Sequence, residues 1–444
     1  MKTVSLILCI VILASVFAGC ADNGYDVREE QINQSARSAP SDIVPQTTDV
    51  PQIPKTTDYK TLKWRNIKKS SYYTYINNKY GYASLNDTKL RELYEKIESA
   101  MFSVSNKPDE KGRYTIPQIR VKNEKLSQQR IKLVMQALSL DYPYVFWLNN
   151  MFGYYYDSDD TLVQLYAVQD CDSLQNKINI FSAAVSDIIA SVEGGLSEYD
   201  REKLVNNYII DNCSYDEYAE NVAENWQSFC AYGAVVDKFA ICGGYAYTAQ
   251  LLLNLLGVDS ISVTGKGREE LHVWNQVKID GLWYNLDVTW NDNGEISRYD
   301  YFNLSDDEFC ITHTPGKLYT VQPTPEGEPF NITLRECANN EANYYLKECV
   351  SIGEFNDEFT MICSSELAKA ALAYSEYFSM IVMPGNDYDE AVNALFYESP
   401  YVFFNCISEA NKLCGDLLNQ TEVSVTKKET INVITVKLCY KNAS

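Results

Sequence analysis

The chain has 444 residues, more than one hydrophobic core usually holds, so its length predicts two or three domains. There are 60 acidic residues against 38 basic ones, and the net charge of −22 argues against nucleic acid and anionic lipid surfaces as partners. Only two histidines occur, His272 and His313, and this scarcity argues against a metal site with two or three histidine ligands.

The N-terminus has the pattern of an export signal. Lys2 precedes an apolar run from Val4 to Phe17, which is shorter than the ~20 residues of a membrane-spanning helix. The run ends in Val16-Phe-Ala-Gly-Cys20, which resembles the lipobox of bacterial lipoproteins. The resemblance implies a signal peptide over 1–20, lipidation of Cys20, and a protein anchored on the outer face of the bacterial cytoplasmic membrane. A plain secretory signal or an uncleaved anchor is the alternative.

Two segments precede the chemically interesting part of the chain. Residues 21–57 are rich in Asn, Gln, Ser, Thr and Pro and nearly lack aromatic residues, which predicts a disordered tether. Residues 58–194 mix helical and strand patterns and are predicted to be an α/β companion domain without a catalytic constellation. Its predicted elements are helices over Leu90–Met101, Ser127–Ala137 and Ile178–Val192 and a strand over Val163–Val168.

Cys242 is predicted to begin a helix that runs to residue 256 and ends at Gly257. The free N–H groups and positive dipole end of a helix N-terminus favour a thiolate and can stabilise an oxyanion beside it. Gly243 and Gly244 are expected to leave room for a substrate backbone. The alternative interpretation of Cys242 is a buried structural cysteine.

Residues 271–290 predict a β-hairpin, because Asp280-Gly281 between two apolar-rich runs is a strong two-residue turn signal. Ile279 should then face Leu282, and continuing the register places His272 opposite Thr289. One face is predicted to pack on the core. The other face is polar and carries both His272 and Asp287, as diagonal neighbours ~7–8 Å apart. A carboxylate there can orient an imidazole, although a surface His–Asp pair is the alternative.

The remaining chain, 316–444, is predicted to be a small α+β module. Its predicted elements are helices over Glu366–Tyr377, Tyr388–Leu395 and Ser408–Leu418, strands over Phe378–Val382 and Tyr401–Cys406, and a hairpin within Val423–Tyr440. Of 13 cysteines, eleven lie beyond the predicted leader, and an odd number leaves at least one thiol unpaired. Cys242 is the candidate, and the other ten are either disulfide-bonded or reduced.

The order of Cys242, His272 and Asp287 resembles the transglutaminase-like superfamily over residues 195–315. Val273 stands where alanine is common and Gly243 where glutamate is common, and neither position belongs to the triad. Asn206 and Asn207 replace a His-Asp pair that relatives often carry on an upstream helix, which puts a helper role for that helix in doubt. The motifs that carry the resemblance are Tyr232-Gly-Ala-Val-Val236, Cys242-Gly-Gly-Tyr-Ala246, Val263-Thr-Gly265, His272-Val-Trp-Asn275, Asp280-Gly-Leu-Trp-Tyr284 and Asp287-Val-Thr-Trp-Asn291.

The resemblance implies an α+β fold with a papain-like transglutaminase core over 195–315, in which a Cys-bearing helix packs on an antiparallel sheet. It implies that Cys242 attacks an amide carbonyl, His272 moves the proton and Asp287 orients His272, with no metal and no cofactor. Tyr232, Trp274 and Trp290 are candidate cleft or support residues, and ordinary aromatic packing is the alternative for the two tryptophans. His313 is interpreted as structural.

Two functions follow from these expectations. The first is an extracytoplasmic thiol enzyme that acts on protein or peptide amides through a cysteinyl thioester, as a peptidase, deamidase or crosslinking enzyme. The second is a cell-surface binding or scaffold protein that keeps the fold without turnover. The tether, the C-terminal module and the 34 tyrosines motivate this second function.

Overall fold

The computed structural model describes residues 26–29, 63–68, 78–219, 225–316, 319–320, 332–383, 385–420, 422–427 and 432–441. The chain divides into two compact units, one of residues 36–342 and one that joins 1–35 to 343–444. The predicted lipidation site Cys20 and the signal peptide lie outside the described residues, as does most of the predicted tether. The predicted domain boundaries at 57, 194 and 315 remain predictions.

Helices in the unit 36–342 begin at conventional caps. Ser127, Asp170 and Ser197 each accept hydrogen bonds from backbone N–H groups of the first turn of their helix. In the part of the chain that the structure describes, no helix is both long and apolar enough to cross a membrane. The helices are Tyr80–Ser84, Thr88–Ala100, Gln128–Asp141, Cys171–Ala190, Glu198–Asn212, Cys242–Leu255, Val288–Asn291 and Asp306–Phe309, with a π-helical turn at Gly233–Asp237 and a 3₁₀ turn at Glu295–Ser297.

The strands of this unit form one larger antiparallel sheet and several smaller ones. The larger sheet, here called the core sheet, has the order Phe302–Leu304, Leu282–Leu286, Glu270–Ile279, Ser260–Gly267 and His313–Pro315. The other strands are Trp64–Asn66, Ser103–Ser105, Tyr114–Thr115, Ile119–Val121, Leu148–Asp157, Asp160–Ala167, Ser214–Tyr215, Phe239–Ala240, Tyr319–Thr320 and Ile332–Thr333.

The helix Cys242–Leu255, here called the central helix, packs on the strands Glu270–Ile279 and Ser260–Gly267 of the core sheet. Almost all its residues up to Leu253 are buried, which is the behaviour of a helix that is apolar all round. Gly257 follows its end with φ +81°, a left-handed conformation that ends helices at little steric cost for glycine. The predicted start, stop and sheet contact therefore agree with the structure.

The predicted hairpin forms around Asp280 and Gly281, both of which have positive φ. Ile279 pairs with Leu282 as expected. The predicted polar face carries the polar residues, but most of it is covered. Gln276, on this face, exchanges hydrogen bonds with the backbone of Arg335 at 2.8 and 3.0 Å and is buried. The middle of the hairpin is therefore buried on both faces, whereas its turn from Asp280 to Leu282 is exposed.

The other unit contains a sheet in the order Asp26–Glu29, Glu422–Lys427, Val433–Lys437, Tyr377–Val382 and Val350–Ile352. The first strand lies within the segment 21–57, for which a disordered tether remains the prediction. It pairs in parallel with Glu422–Lys427, and backbone pairing of this kind needs no apolar surface of its own. The hairpin predicted near the C-terminus agrees with the last two strands in the chain.

The helices of this unit differ more from the sequence prediction. The segment Tyr401–Cys406, predicted as a strand, belongs to a helix over Val402–Cys414. Its buried positions continue at Ile407, Ala410 and Cys414 with helical spacing, so the apolar run is the buried face of a helix. The helices are Tyr344–Glu348, Asp357–Leu372, Tyr388–Val392 and Val402–Cys414, with a π-helical turn at Asn393–Tyr397.

Glu202 lies fully buried on the helix Glu198–Asn212 and accepts a hydrogen bond from Asn303 Nδ2 at 2.7 Å. Burial raises the pKa of Glu202 from 4.5 to about 8, against the opposing effect of Asn303. Glu202 Oε1 is buried without a partner among the described residues, and a proton on the acid removes the cost of burying an uncompensated charge there. Glu202 is therefore expected to be a neutral acid in the folded protein at neutral pH.

We predict that Glu202→Gln makes the protein more resistant to unfolding at pH 8 and leaves it nearly unchanged at pH 4.5. The folded state keeps a proton that the unfolded chain releases above 4.5, so wild-type stability falls as the pH rises through this window to about 8. The gain at pH 8 is on the order of a few kcal/mol. Urea unfolding at both pH values measures it. Glu269→Gln, at a side chain that is 95% exposed, is the control and should change neither value. Equal effects at both pH values would contradict a neutral Glu202.

Candidate active site

Cys242 is the first residue of the central helix and has no exposed surface. Ile241 before it is extended, and no side chain caps the first turn of the helix. The sulfur is a free thiol. The thiol therefore lies at the positive end of a 14-residue helix, as the sequence predicted.

Gly243 and Gly244 do not leave space for a substrate. A Cβ on Gly243 would lie 2.9 Å from the carbonyl oxygen of Phe229, and one on Gly244 would lie 2.5 Å from Ala240 Cβ and 3.0 Å from the carbonyl oxygen of Cys230. The prediction of an open approach is wrong at both positions. Their lack of a side chain allows the preceding loop to pack against the first turn of the central helix.

Asp287 is fully buried and both of its carboxylate oxygens accept hydrogen bonds. Oδ2 accepts from His272 Nε2 at 2.7 Å and contacts His313 Nε2 at 3.1 Å. Oδ1 accepts from the backbone N–H groups of Thr289 at 2.9 Å and Trp290 at 3.2 Å. The carboxylate thus joins two imidazoles to the start of a short helix.

The capping role of Asp287 changes the predicted strand. The strand ends at Leu286, and Asp287 is the N-cap of the helix Val288–Asn291. The predicted pairing of His272 with Thr289 is therefore wrong, and His272 pairs with Gly265 on its other side. An aspartate that can bond the N–H groups two and three residues ahead favours a helix start over a continued strand.

The side chains of Cys242 and His272 are close enough to interact, since Cys242 contributes to the raised pKa of His272. Because Nε2 of His272 is bound to Asp287, Nδ1 is the nitrogen that remains for the thiol. Burial lowers the pKa of His272, but the charge and hydrogen bond of Asp287, with a further contribution from Cys242, outweigh burial and raise it to about 10. The structure therefore brings the three predicted residues together in one buried group.

The pKa of Asp287 moves in the opposite direction. Burial alone would raise it, but the charge of His272 and the hydrogen bonds of His272 and His313 hold it well below its usual range. The carboxylate is therefore ionised throughout the pH range in which proteins usually work. A buried anion next to an imidazole stabilises the protonated ring, as a base that must carry a proton briefly requires.

His313 is the residue that sequence reasoning missed. It was interpreted as structural, yet it contacts the same oxygen of Asp287 as His272 does. The scarcity of histidine argues against a metal site with two histidine ligands, which stays a prediction, but it does not prevent the two histidines from sharing one carboxylate. The small number of histidines could have indicated this role. Both histidines of the chain lie within about 40 residues of each other, one in the hairpin and one shortly after it.

The group His272, Asp287 and His313 also has the composition of a metal site. Tetrahedral zinc with ligands at 2.0–2.1 Å would separate its ligand atoms by about 3.3 Å. Here Asp287 Oδ2 lies 2.7 and 3.1 Å from the two ring nitrogens, which are hydrogen-bond lengths. The present geometry fits hydrogen bonding, and the predicted absence of a metal remains a prediction.

Aromatic rings surround the two histidines. Trp290 lies 5.5 Å from His272 and 4.4 Å from His313 between ring centroids, and Trp274 lies 6.3 and 5.2 Å from them. Space for these rings comes from Gly267, where a Cβ would lie 2.8 Å from Trp290 and 3.2 Å from His272. The tryptophans therefore exclude water from the imidazoles, whether or not they also contact a substrate.

Tyr232 is not part of this aromatic group. Its ring lies 5.0 Å from Phe146, 5.9 Å from Trp226 and 6.2 Å from Phe181, and the Lys177 ammonium lies 4.8 Å from it. Among the described residues, these ring contacts place Tyr232 in a separate cluster. Its predicted role as a cleft or support residue stays a prediction.

A cavity of about 290 Å³ lies near the central helix. Phe229, Cys230 and Tyr247 line one part of it, and Tyr247 also packs against the buried cluster that contains Cys242. Cys242, His272 and Asp287 do not line the cavity. Cys242 is 0% and His272 only 4% exposed, so a substrate reaches the thiol only if neighbouring groups move.

Comparison with known proteins supports the family resemblance for part of the chain. Residues 186–288 match the family model described as the transglutaminase-like superfamily. This range includes the central helix, the hairpin, and the residues Cys242, His272 and Asp287. A search of curated proteins found no match.

Three solved structures show weak overall similarity. A structure described as a TGase is 18% identical with a TM-score of 0.25, and the match covers 49% of this chain and 62% of that chain. A proposed cysteine protease from Cytophaga hutchinsonii is 13% identical with a TM-score of 0.20, covering 31% and 61%. A proposed protease from Parabacteroides distasonis is 9% identical with a TM-score of 0.20, covering 31% and 35%.

The match therefore spans about three fifths of the length of the first two proteins and about a third of the last. Scores at this level carry no argument about activity. The family match and the helix-on-sheet arrangement agree with each other over the same residues. The chain thus contains a transglutaminase-like core within a protein of mixed helix and sheet.

Proposed function

We propose that this protein is a thiol-dependent acyl-transfer enzyme that acts on protein or peptide amides. One observation carries the proposal: Cys242, His272 and Asp287 form one buried group, in which Asp287 Oδ2 lies 2.7 Å from His272 Nε2 and Cys242 interacts with the same ring. A thiol, a base and an orienting carboxylate in this order are what covalent amide chemistry requires.

The steps follow from the positions of the three groups. The proton shared by Cys242 and His272 lies on Nδ1 of the ring, whose pKa is raised. The thiolate sulfur forms a bond to the amide carbonyl carbon as the C=O π electrons move onto the oxygen, and they return when the leaving group departs. The protonated His272 returns the proton to the departing nitrogen as the C–N bond breaks, which leaves a thioester. Water or an amine then attacks the thioester and restores the thiol. Asp287 stabilises the imidazolium in between.

The proposal includes export and anchoring. The lipobox-like sequence that ends at Cys20 supports a lipid anchor on the outer face of a bacterial cytoplasmic membrane, as the only contact with the membrane. Protein or peptide amides are then the proposed substrates, and the net charge of −22 argues against nucleic acid as a partner. Metabolic labelling with a fatty-acid probe, compared between wild type and Cys20→Ala, tests the anchor.

One observation favours the second candidate, a surface binding or scaffold protein without turnover. The sulfur of Cys242 has no exposed surface, and the nearby cavity is not lined by it. Such a protein needs no access to the thiol. The two functions therefore differ in whether reagents and substrates reach Cys242 in the folded protein.

The test uses the full chain with casein as the protein substrate and a fluorescent primary amine. We expect amine incorporation, ammonia release or new peptide termini, together with a Cys242 thioester that hydroxylamine cleaves. Iodoacetamide labelling, followed for each cysteine by mass spectrometry, provides an independent test of access. We expect Cys242 to label faster than Cys363, which is fully buried in the other unit. No product, with Cys242 labelling as slowly as Cys363, would favour the non-catalytic function.

A further inference from the structure

His313 is held at both of its ring nitrogens. It is fully buried at the start of the strand His313–Pro315, where it pairs with Gly267 of the neighbouring strand. Its Nε2 lies 3.1 Å from Asp287 Oδ2, and its Nδ1 lies 2.9 Å from Thr312 Oγ1. The orientation of the imidazole is thus determined by two polar contacts.

The charge state of His313 follows from its surroundings. Burial lowers its pKa, and the nearby charge of His272 acts in the same direction, while Asp287 opposes both and does not reverse the result. His313 is therefore neutral while His272 carries a proton. An ionised carboxylate only accepts hydrogen bonds, so the neutral ring must donate Nε2–H to Asp287. Its Nδ1 then faces the Thr312 hydroxyl, which also contacts the carbonyl oxygen of Phe309 at 3.3 Å.

Aromatic contacts keep this ring in place. Phe309 stacks on His313 with centroids 3.9 Å apart and an interplanar angle of 20°. Trp290 lies 4.4 Å and Tyr301 5.6 Å from it. His313 is therefore held in two ways, by stacking on Phe309 and by its hydrogen bond to Asp287. A structural role would depend on the stacking, whereas a role in the chemistry would depend on the hydrogen bond to Asp287.

The geometry points to His313 as a positioning residue for Asp287, an inference that rests on the proposed function. The backbone N–H groups of Thr289 and Trp290 hold Oδ1, and His313 holds Oδ2 in addition to His272. Two anchored oxygens prevent rotation of the carboxylate, so Oδ2 stays aimed at His272 Nε2. His272 in turn keeps Nδ1 directed at the thiol of Cys242.

Two substitutions separate the hydrogen bond from the stacking. His313→Phe keeps a ring against Phe309 and removes the donor, whereas His313→Gln removes the ring and keeps an N–H at a similar reach. We expect the phenylalanine variant to lower the rate of Cys242 alkylation by iodoacetamide by about 10- to 100-fold, the range found when partners that orient metal-bound histidines are removed. The glutamine variant should stay within about threefold of wild type. A merely structural role predicts the reverse order.

Histidine-selective isotope labelling gives a readout that needs no substrate. The chain has only two histidines, so each His313 variant leaves His272 as the single labelled ring. We expect the His272 Nε2–H proton to stay protected from exchange in His313→Gln. In His313→Phe it should exchange at least about tenfold faster, because Asp287 is no longer fixed. Thermal unfolding of both variants controls for damage to the fold.

The outcomes of these measurements are distinct. Wild-type alkylation and an unchanged His272 signal in His313→Phe would overturn the inference. Loss of both in His313→Gln, with neither lost in His313→Phe, would do the same and assign the ring to packing. If the proposed enzyme activity itself fails, the exchange of the His272 proton still reports whether His313 positions Asp287, so the two failures can be told apart.

Discussion

Replacing Cys242 by serine is expected to lower kcat for amine incorporation or amide hydrolysis by about 10⁴-fold or more, the scale of loss when a covalent nucleophile is removed. Serine has nearly the same shape, and the site has no spare space, so the change removes reactivity and leaves packing almost intact. A serine hydroxyl gives up its proton much less readily than a thiol. Cys242 also contributes to the raised pKa of His272, so the serine variant should lower that pKa as well.

Cys310→Ser provides the matched control for this result. Cys310 is exposed and lies just beyond the helix Asp306–Phe309, so its loss should leave kcat within about twofold of wild type. Thermal unfolding of both variants should differ little from wild type. A Cys242→Ser variant with wild-type turnover would exclude a thioester at Cys242. The turnover would then depend on another cysteine or on a mechanism without a thioester.

The parts of the site that sequence reasoning predicted depend on local signals. Asp280-Gly281 specifies a tight turn by backbone conformation alone, and its two positive φ values agree with that reasoning. The central helix follows from its apolar residues between Cys242 and Gly257. These features are encoded within about 20 residues, so periodicity and turn chemistry are sufficient to find them.

The parts that sequence reasoning missed depend on contacts between distant segments. His313 reaches Asp287 because its strand pairs with Ser260–Gly267, about 50 residues earlier in the chain, and no local pattern records that pairing. The second face of the hairpin is covered by residues near Arg335 for the same reason. Gly243 was predicted to leave room for a substrate, because a sequence does not show which group occupies the space beside a glycine. The structure fills that space with the carbonyl of Phe229.

The prediction for Asp287 separates orientation from simple burial. Asp287→Asn is expected to reduce kcat by about 10⁴-fold, as for the equivalent change in a serine protease triad. The amide oxygen can still accept from the backbone of Thr289 and Trp290, so the short helix keeps its cap. The amide nitrogen would then face His272 Nε2 as a donor. The neutral imidazole must place its proton on Nδ1, where it can no longer accept the proton of Cys242.

The same substitution has a pH signature with a definite sign. In the wild type, Asp287 opposes burial and raises the pKa of His272 to about 10, so the protonated imidazole persists until the alkaline side of the profile. In Asp287→Asn the carboxylate charge no longer opposes the effect of burial, so the pKa of His272 falls. The alkaline limb of kcat/KM, where the imidazolium that protonates the departing nitrogen is lost, should therefore move to lower pH in Asp287→Asn. Initial rates of amine incorporation or amide hydrolysis between about pH 5 and about pH 10 measure this limb.

Asp307→Asn is the control for the Asp287 substitution, because Asp307 is exposed and should leave both kcat and the pH profile unchanged. A structural role for Asp287 alone would lower thermal stability and leave the alkaline limb where it is. A catalytic orienting role moves the limb even in protein that is fully folded. An unshifted limb in folded Asp287→Asn would therefore separate Asp287 from the chemistry, since the charge that holds a proton on His272 would have been removed without effect.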